Sequence, residues 1–241
     1  MSVLLLRLAG PLQSWGASSR FTRRETRAEP TKSGVLGLIA AAQGRRRTDP
    51  IEDLVKLVFG VRIEQPGRLI RDFQTARSLD GSKTMPLSYR FYLGDAVFLA
   101  GLEADKALLE GIEEAITSPA FPLYLGRRSC PPTGNVSVGI REGDLRTVLQ
   151  HEPWHAASWH QRATKSNSVM LDFVRDAIRP DEHGDTIRDE PISFSQEKRD
   201  YGWRTVVRDE MVTVPNLLYQ GKSNSTSVGN SHDPMAAIGG I

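Results

Sequence analysis

The chain of 241 residues holds one cysteine, Cys130. That scarcity excludes an internal disulfide and any multi-cysteine zinc site, so neither oxidation nor thiolate-bound metal is expected to hold the fold. No apolar run approaches the ~20 residues of a membrane span, and Arg7 and Gly10 interrupt MSVLLLRLAG where a secretory leader would stay apolar. A soluble, cytoplasmic protein without membrane contact is expected. The G-x-x-x-x-G-K-[ST] spacing of a nucleotide loop is missing, because Gly34 follows Lys32 instead of preceding it. Three of the five histidines, His151, His155 and His160, sit in one polar segment beside Trp154 and Trp159. Pro153 disfavours the helix that would align His151 with His155, and no carboxylate triad accompanies them. No metal and no cofactor is expected.

What is abundant is arginine: 24 Arg against 7 Lys. Arginine suits bidentate phosphate contact and base stacking, although a GC-rich genome produces the same bias. The charge is also uneven. Residues 1–101 carry 16 Lys and Arg against 9 Asp and Glu, while residues 102–241 carry 15 against 20. A basic half facing nucleic acid and a more acidic half facing solvent or protein are implied.

The most informative stretch is LAGPLQSWGASSRFTRRETRAEPTKSGVLGL, residues 8–38. Thr31 and Ser33 are N-cap types, Lys32 adds a cation, and Gly34 leaves backbone open at the start of an apolar helix, where free N–H groups and the macrodipole favour an anion. Arg20, Arg23, Arg24 and Arg27 precede it as donor forks. Gln13 and Trp15 lie at a strand end, where Trp15 is open to two readings, a stacking face for a base or core packing. A second basic stretch, LYLGRRSCPPT, follows at 123–133. There Gly126 allows close backbone approach, and Arg127, Arg128 and Ser129 offer phosphate donors; a plain surface loop is the other reading.

Along the chain, Val3–Leu8 reads as a buried central strand, Gly34–Gln43 as a helix ended by Gly44 and the cations Arg45 to Arg47, and Ile51–Val58 as a short helix. Phe59–Glu64 and Leu69–Thr75 read as a hairpin. Asp80-Gly81 marks a second, protruding ribbon carrying Arg77, Lys83, Met85, Tyr89 and Arg90, before Arg90–Leu102 returns as strand. Asp105–Ser118 has a helical apolar stripe. The order matches the β-α-β-β-α-β ferredoxin-like plan. Asn135–Ile140, Val169–Val174 and Arg204–Val214 read as strands of a smaller part stacked on the first, and Gly221–Ser231 as a flexible low-complexity segment.

RLAGPLQSWG, EPTKSGVLGL and YLGRRSCPPT, in this order and spacing, resemble the CasD family of CRISPR-associated RAMP proteins over roughly the first 135 residues. The resemblance implies an α+β, ferredoxin-like (RRM-like) domain over 1–134 with an inserted β-hairpin thumb near 71–92, a small β-rich part over 135–220, and a flexible tail over 221–241. It also implies a non-catalytic subunit of the Cascade surveillance complex in antiviral defence. Such a subunit grips the 5′ handle of the guide crRNA, docks on the terminal backbone subunit and the large subunit, and meets target DNA only through the complex. Its RNA-binding positions would be Gln13, Trp15, Arg24, Thr31 to Gly34, and Gly126 to Ser129, with Arg20 and Arg23 added on charge alone. The Asp80-Gly81 ribbon would be the thumb that displaces a base. The alternative is a metal-independent endoribonuclease that processes precursor crRNA, which needs a general base and a cation.

Overall fold

A computed structural model describes residues 1–16, 23–195, 197 and 199–219; Arg20 and the expected tail 221–241 lie outside them. In chain order the elements are β1 (Ser2–Ala9), β2 (Leu12–Gln13), β3 (Arg23–Arg24), α1 (Lys32–Ala42), α2 (Glu52–Val55), β4 (Val58–Gln65), β5 (Arg68–Gln74), β6 (Ser88–Gly94), β7 (Val97–Ala104) and α3 (Lys106–Thr117). Then come β8 (Ser137–Glu142), α4 (Leu145–His151), α5 (Ser158–Ala163), β9 (Ser168–Leu171), β10 (Phe173–Asp176), β11 (Asp185–Ser193), β12 (Asp200–Arg208) and β13 (Val212–Pro215). No described helix is long and apolar enough to cross a membrane.

The core is the ferredoxin-like unit β1-α1-β4-β7-α3-β8. Its strands lie in the order β4-β7-β1-β8 with antiparallel neighbours, so each helix crosses between parallel strands one place apart. β1 is central and almost wholly buried because its Val-Leu-Leu-Leu run serves both faces of the sheet. On one face pack α1 and α3, the latter through Leu109, Ile112 and Ile116 at helical spacing. On the other face α4 and the small β9–β13 sheet cover Val3, Leu5, Leu99 and Phe173.

Four expectations are corrected. β4 does not form a hairpin with β5: it lies between β7 and β10, while β5 pairs with β6 in a separate sheet with β2 and β3. The expected strand 90–102 breaks at Gly94-Asp95, where Asp95 takes a φ of +54° and passes the chain from the thumb sheet to the main sheet. Of the C-terminal strands only the β9–β13 pair is stacked on the first part. β10, β12 and β11 continue its sheet beyond β4, and β8, placed beyond the boundary at 134, is an edge of the ferredoxin-like unit itself. The helices α4 and α5 stand where polar loop was expected. Asp144 starts α4 by accepting the Thr147 N–H at 2.9 Å.

The added strands are fastened by charge. Buried Arg175 on β10 reaches Glu182 at 2.8 Å and Asp209 at 2.7 Å, and Glu182 also accepts the Ile178 N–H at 2.7 Å. Hydrogen bonding from Arg175 holds the Glu182 carboxyl at a pKa of about 2. This lies below the ~4.3 of an unfolded glutamate, so the contribution to stability is complete above about pH 5 and is lost as the pH falls toward 2. Glu182→Gln is therefore expected to lower the urea midpoint at neutral pH and to flatten its decline between pH 5 and pH 2. A midpoint that tracks the parent chain across that window would contradict the assignment.

Candidate nucleic-acid interface

The two conspicuous basic stretches meet in space, but several of their residues face inward. Trp15 is fully buried. Its Nε1 donates to Gln13 Oε1 at 3.0 Å, and Gln13 Nε2 donates to the carbonyls of Leu8 at 3.0 Å and Ala96 at 2.7 Å. These contacts lock the strand end, so Gln13 and Trp15 are packing residues, and the base-platform reading of Trp15 is corrected. The Trp15 ring also explains Gly34: a Cβ there would lie 2.8 Å from the indole. The glycine makes room for the tryptophan.

Thr31 caps α1 as expected, its Oγ1 accepting the Gly34 N–H at 3.2 Å. Lys32, expected to meet phosphate, is 4% exposed and lies in a closed charge cluster. Its Nζ is 2.9 Å from Asp176, and its backbone N–H donates to Asp189 Oδ2 at 2.9 Å. Arg204 completes the cluster, contacting Asp189 at 2.6 Å and Asp176 at 2.5 Å. Burial works against the Arg204 charge, but hydrogen bonding to Asp189 and the field of both carboxylates outweigh it and raise its pKa. The anion that the helix start favours is thus the chain's own Asp189, 157 residues away in sequence.

Beside this cluster opens a groove of about 830 Å³. One wall is the outer face of α1 and the turn after it, from Thr31, Ser33 and Gly34 to Arg45, Arg46 and Arg47. Gly44, at a φ of +74°, closes α1 in a Schellman turn, with its N–H on Ala41 and the Arg45 N–H on Ala40. That turn aims the three arginines at the groove, beyond the helix end they were expected to neutralise. The second wall is Phe121 to Arg128 with Arg24, and the third is Phe194, Arg199 and Tyr201 from the β11–β12 hairpin. Among the described residues seven arginines line the groove and no Asp or Glu does. Arg45 is held by Asp53 at 2.6 Å, whereas Arg46, Arg47, Arg128 and Arg199 are exposed.

The 126–129 loop is set by backbone crowding. Gly126 has a φ of +87°, and a Cβ there would collide with the Ser14 carbonyl, so the loop lies directly on the strand end. Arg127 stacks over Tyr92 at 4.9 Å and donates to the Arg24 carbonyl at 2.8 Å, while Arg128 and Ser129 face solvent.

The thumb segment is the β5–β6 ladder, extended by an Arg77–Thr84 bridge and closed at Asp80-Gly81. Lys83 is exposed at its tip; Met85 and Tyr89 are 52% and 38% exposed, and Arg71 stacks over Tyr89 at 5.5 Å. Arg90, by contrast, points into the thumb base with a buried Nε. Leu69, Phe73 and Leu79 add an exposed apolar face that residue patterning did not foreshadow.

The histidine segment is structural. Fully buried Arg62 pairs with Glu64 at 2.6 Å and donates to the carbonyls of Leu149, Glu152 and Pro153, while Glu64 accepts the His155 N–H at 2.7 Å. His155 contacts Glu152 at 3.1 Å, and His160 packs edge-on between Trp154 and Trp159. Among the described residues no group of three His, Cys, Asp or Glu could hold a metal.

Asp189→Ala would leave Arg204 half-paired in the interior and strip the α1 N-terminus of its anion. A loss of about 3 kcal/mol is expected in urea unfolding. A change under about 0.5 kcal/mol would refute the role given to this cluster.

Comparison with known proteins agrees with this architecture. Residues 3–207 match the family described as CRISPR-associated protein (Cas_Cas5). The chain is 35% identical over 176 residues to the CRISPR system Cascade subunit CasD of Escherichia coli K12, covering 63% of this chain and 78% of that protein. A chain of a CRISPR RNA-guided surveillance complex superposes with a TM-score of 0.75 at 31% identity, covering 92% of this chain and 95% of that one. A crystal structure of a Cas protein superposes with a TM-score of 0.67 at 35% identity, covering 90% and 97%. A ferredoxin-like sheet with a thumb hairpin, an arginine groove and a match over most of its length place this chain in the Cas5 family of CRISPR-associated proteins.

Proposed function

We propose that this protein is a non-catalytic subunit of a Cascade-type, RNA-guided surveillance complex, and that its groove holds the 5′ handle of the guide crRNA. The observation that carries the reading is the groove lined, among the described residues, by seven arginines without one carboxylate. Guanidinium forks suit phosphate oxygens, and Phe121, Tyr124, Phe194 and Tyr201 supply rings on which unpaired bases stack. Membership in the family, and a relative that is itself a Cascade subunit, favour this over other polyanions. The exposed apolar thumb suits insertion beside a base where handle meets guide. The terminal backbone subunit and the large subunit are the proposed protein partners, and target DNA is met through the complex.

The RNA-contacting set differs from the sequence expectation. Arg24, Arg46, Arg47, Arg127, Arg128 and Arg199 are the phosphate ligands, with Thr31 and Ser33 on the groove wall. Lys32 supports them from beneath.

Replacing Arg46, Arg47 and Arg128 together by alanine is expected to weaken binding of handle RNA. It should also reduce the slope of log K against log salt by about 2, near 0.7 for each phosphate of a single strand that is no longer neutralised. Lys32→Ala is expected to lower the urea midpoint and to leave that slope unchanged. Unaltered affinity and slope in the triple variant would overturn the groove assignment. A discrete cut in repeat RNA incubated with the purified chain in EDTA would replace the non-catalytic reading with the nuclease one.

A further inference from the structure

On the far side of the 119–124 segment from the arginine groove, the main sheet ends in an unpaired edge. β8 closes the seven-stranded order, and among the described residues no strand pairs with its outer side. The Gly143 N–H donates to the Met1 carbonyl at 3.2 Å, and the alternation of an antiparallel pair then turns the main-chain groups of Glu142 and Ile140 away from β1. Toward its start β8 slips register opposite Leu5 and Leu6, and Gly139 takes a φ of +111°. Beside this stretch, between β8 and the C-terminal half of α3, runs a second groove of about 540 Å³. Ile116, Leu123, Pro132 and Val136 give it an apolar lining.

The surroundings of this groove are acidic. Glu110, Glu113 and Glu114 stand at i, i+3 and i+4 on α3, and Glu142 stands on β8. None of the four is paired with a Lys, Arg or His among the described residues. Residues 102–119 as a whole carry five acids against one base, Lys106. Glu113 accepts the Ser137 hydroxyl at 2.7 Å, and Ser137 Oγ in turn accepts the Gly139 N–H at 3.2 Å. That chain of contacts ties α3 to the edge strand and leaves the carboxylate charge uncompensated. Such a face repels RNA and draws a cationic polypeptide.

We propose that the outer edge of β8 and the groove beside α3 dock an extended segment of a protein partner, one whose groove-facing side chains are apolar and basic. Added as a further strand, the segment pairs with the main chain of Ile140 and Glu142. Every second side chain then points toward α3, apolar ones over Ile116 and Leu123 and basic ones toward Glu110 and Glu113. Covering the edge in this way also removes a template for unwanted strand pairing. The inference rests on the chain's place in a multi-subunit complex and not on the RNA reading of the arginine groove.

The test compares amide hydrogen exchange in the isolated chain and in the complex assembled with it. Across residues 137–142 exchange is expected to slow about tenfold or more on assembly, because strand pairing shields those amides. Asn135→Trp, which fills the groove from an exposed position, is expected to lose that protection or its place in the complex while its urea midpoint stays unchanged. The double variant Glu110→Lys, Glu114→Lys is expected to lose the protection as well, and protection kept there overturns the basic chemistry of the partner. Unchanged exchange at 137–142 on assembly overturns the docking edge and leaves membership in the complex standing. Protection that grows with the concentration of the isolated chain assigns the edge to a second copy and overturns the partner. If the chain assembles with no other subunit, its membership fails instead, and the peptide Val-Thr-Lys-Thr-Val-Thr-Lys-Thr then decides. Protection of 137–142 by this peptide, and not by the same peptide with glutamate for lysine, supports the docking edge; protection by neither overturns it.

Discussion

The structure hinges on four charges that never reach solvent as a group: Lys32, Asp176, Asp189 and Arg204. Two acids and two bases on α1, β10, β11 and β12 are paired at 2.5–2.9 Å, and Asp176 also accepts the Phe59 N–H on β4 at 3.1 Å. Desolvating such groups is expensive, and the cost is recovered only when every partner is present with good geometry. The cluster therefore specifies one arrangement of the sheet extension against α1. It acts together with the β10–β12 ladder and the apolar contact of Ile187 and Val206 to hold β11 and β12 there. The third wall of the groove, with Phe194, Arg199 and Tyr201, is carried by those two strands and the turn between them. A buried ionic lock thus sets the width of an open cationic channel.

The lock also takes up the anion seat at the start of α1. A helix start with Thr-Lys-Ser-Gly is an attractive seat for phosphate, but here an aspartate from the same chain occupies it. Its partial positive charge stabilises the fold, and the open cationic surface lies to the side, on the outer face of α1. There Gly34, Gly37, Ala40 and Ala41 keep the wall low. Gly34 is small because Trp15 needs the space, so core packing and groove shape are satisfied by one residue. Gly126 acts in the same way, its backbone pressed on Ser14 so that Arg127 and Arg128 stand over the groove.

Local signals carried the ferredoxin-like order: the unbroken apolar β1, the helical stripe of α3, the Thr31 cap and the Asp80-Gly81 turn were each readable from neighbouring residues. What escaped were pairings of high sequence separation. Leu69 to Gln74 alternates whichever strand it joins, and nothing local distinguishes β4 from β6 as its partner. The Arg-Asp pairs that add β10 to β12 to the main sheet are common residue types at unremarkable spacing. For the site, charge density found the two basic stretches but could not sort exposed from buried cations. Lys32 and Arg128 look alike in sequence, and only the distant Asp176 and Asp189 tell them apart. Arg45 to Arg47 were assigned to the helix terminus because the Gly44 turn that redirects them is a matter of backbone geometry. Arg199 and Tyr201 stood in a segment with no motif at all.

The distribution of carboxylates provides the sharper argument about function. Many arginines with a structural task are met by an acid: Asp53 for Arg45, Glu64 for Arg62, Glu152 for Arg141, Glu182 and Asp209 for Arg175. The chain has nearly as many acids as bases, 29 against 31, so shortage does not explain an acid-free groove. Like charges gathered on one concave surface raise the energy of the folded state, modestly in salt and more at low ionic strength. An arrangement that is unfavourable alone, next to a protein full of well-matched pairs, is one that a bound polyanion would relieve, which is the physical ground for the proposed RNA groove.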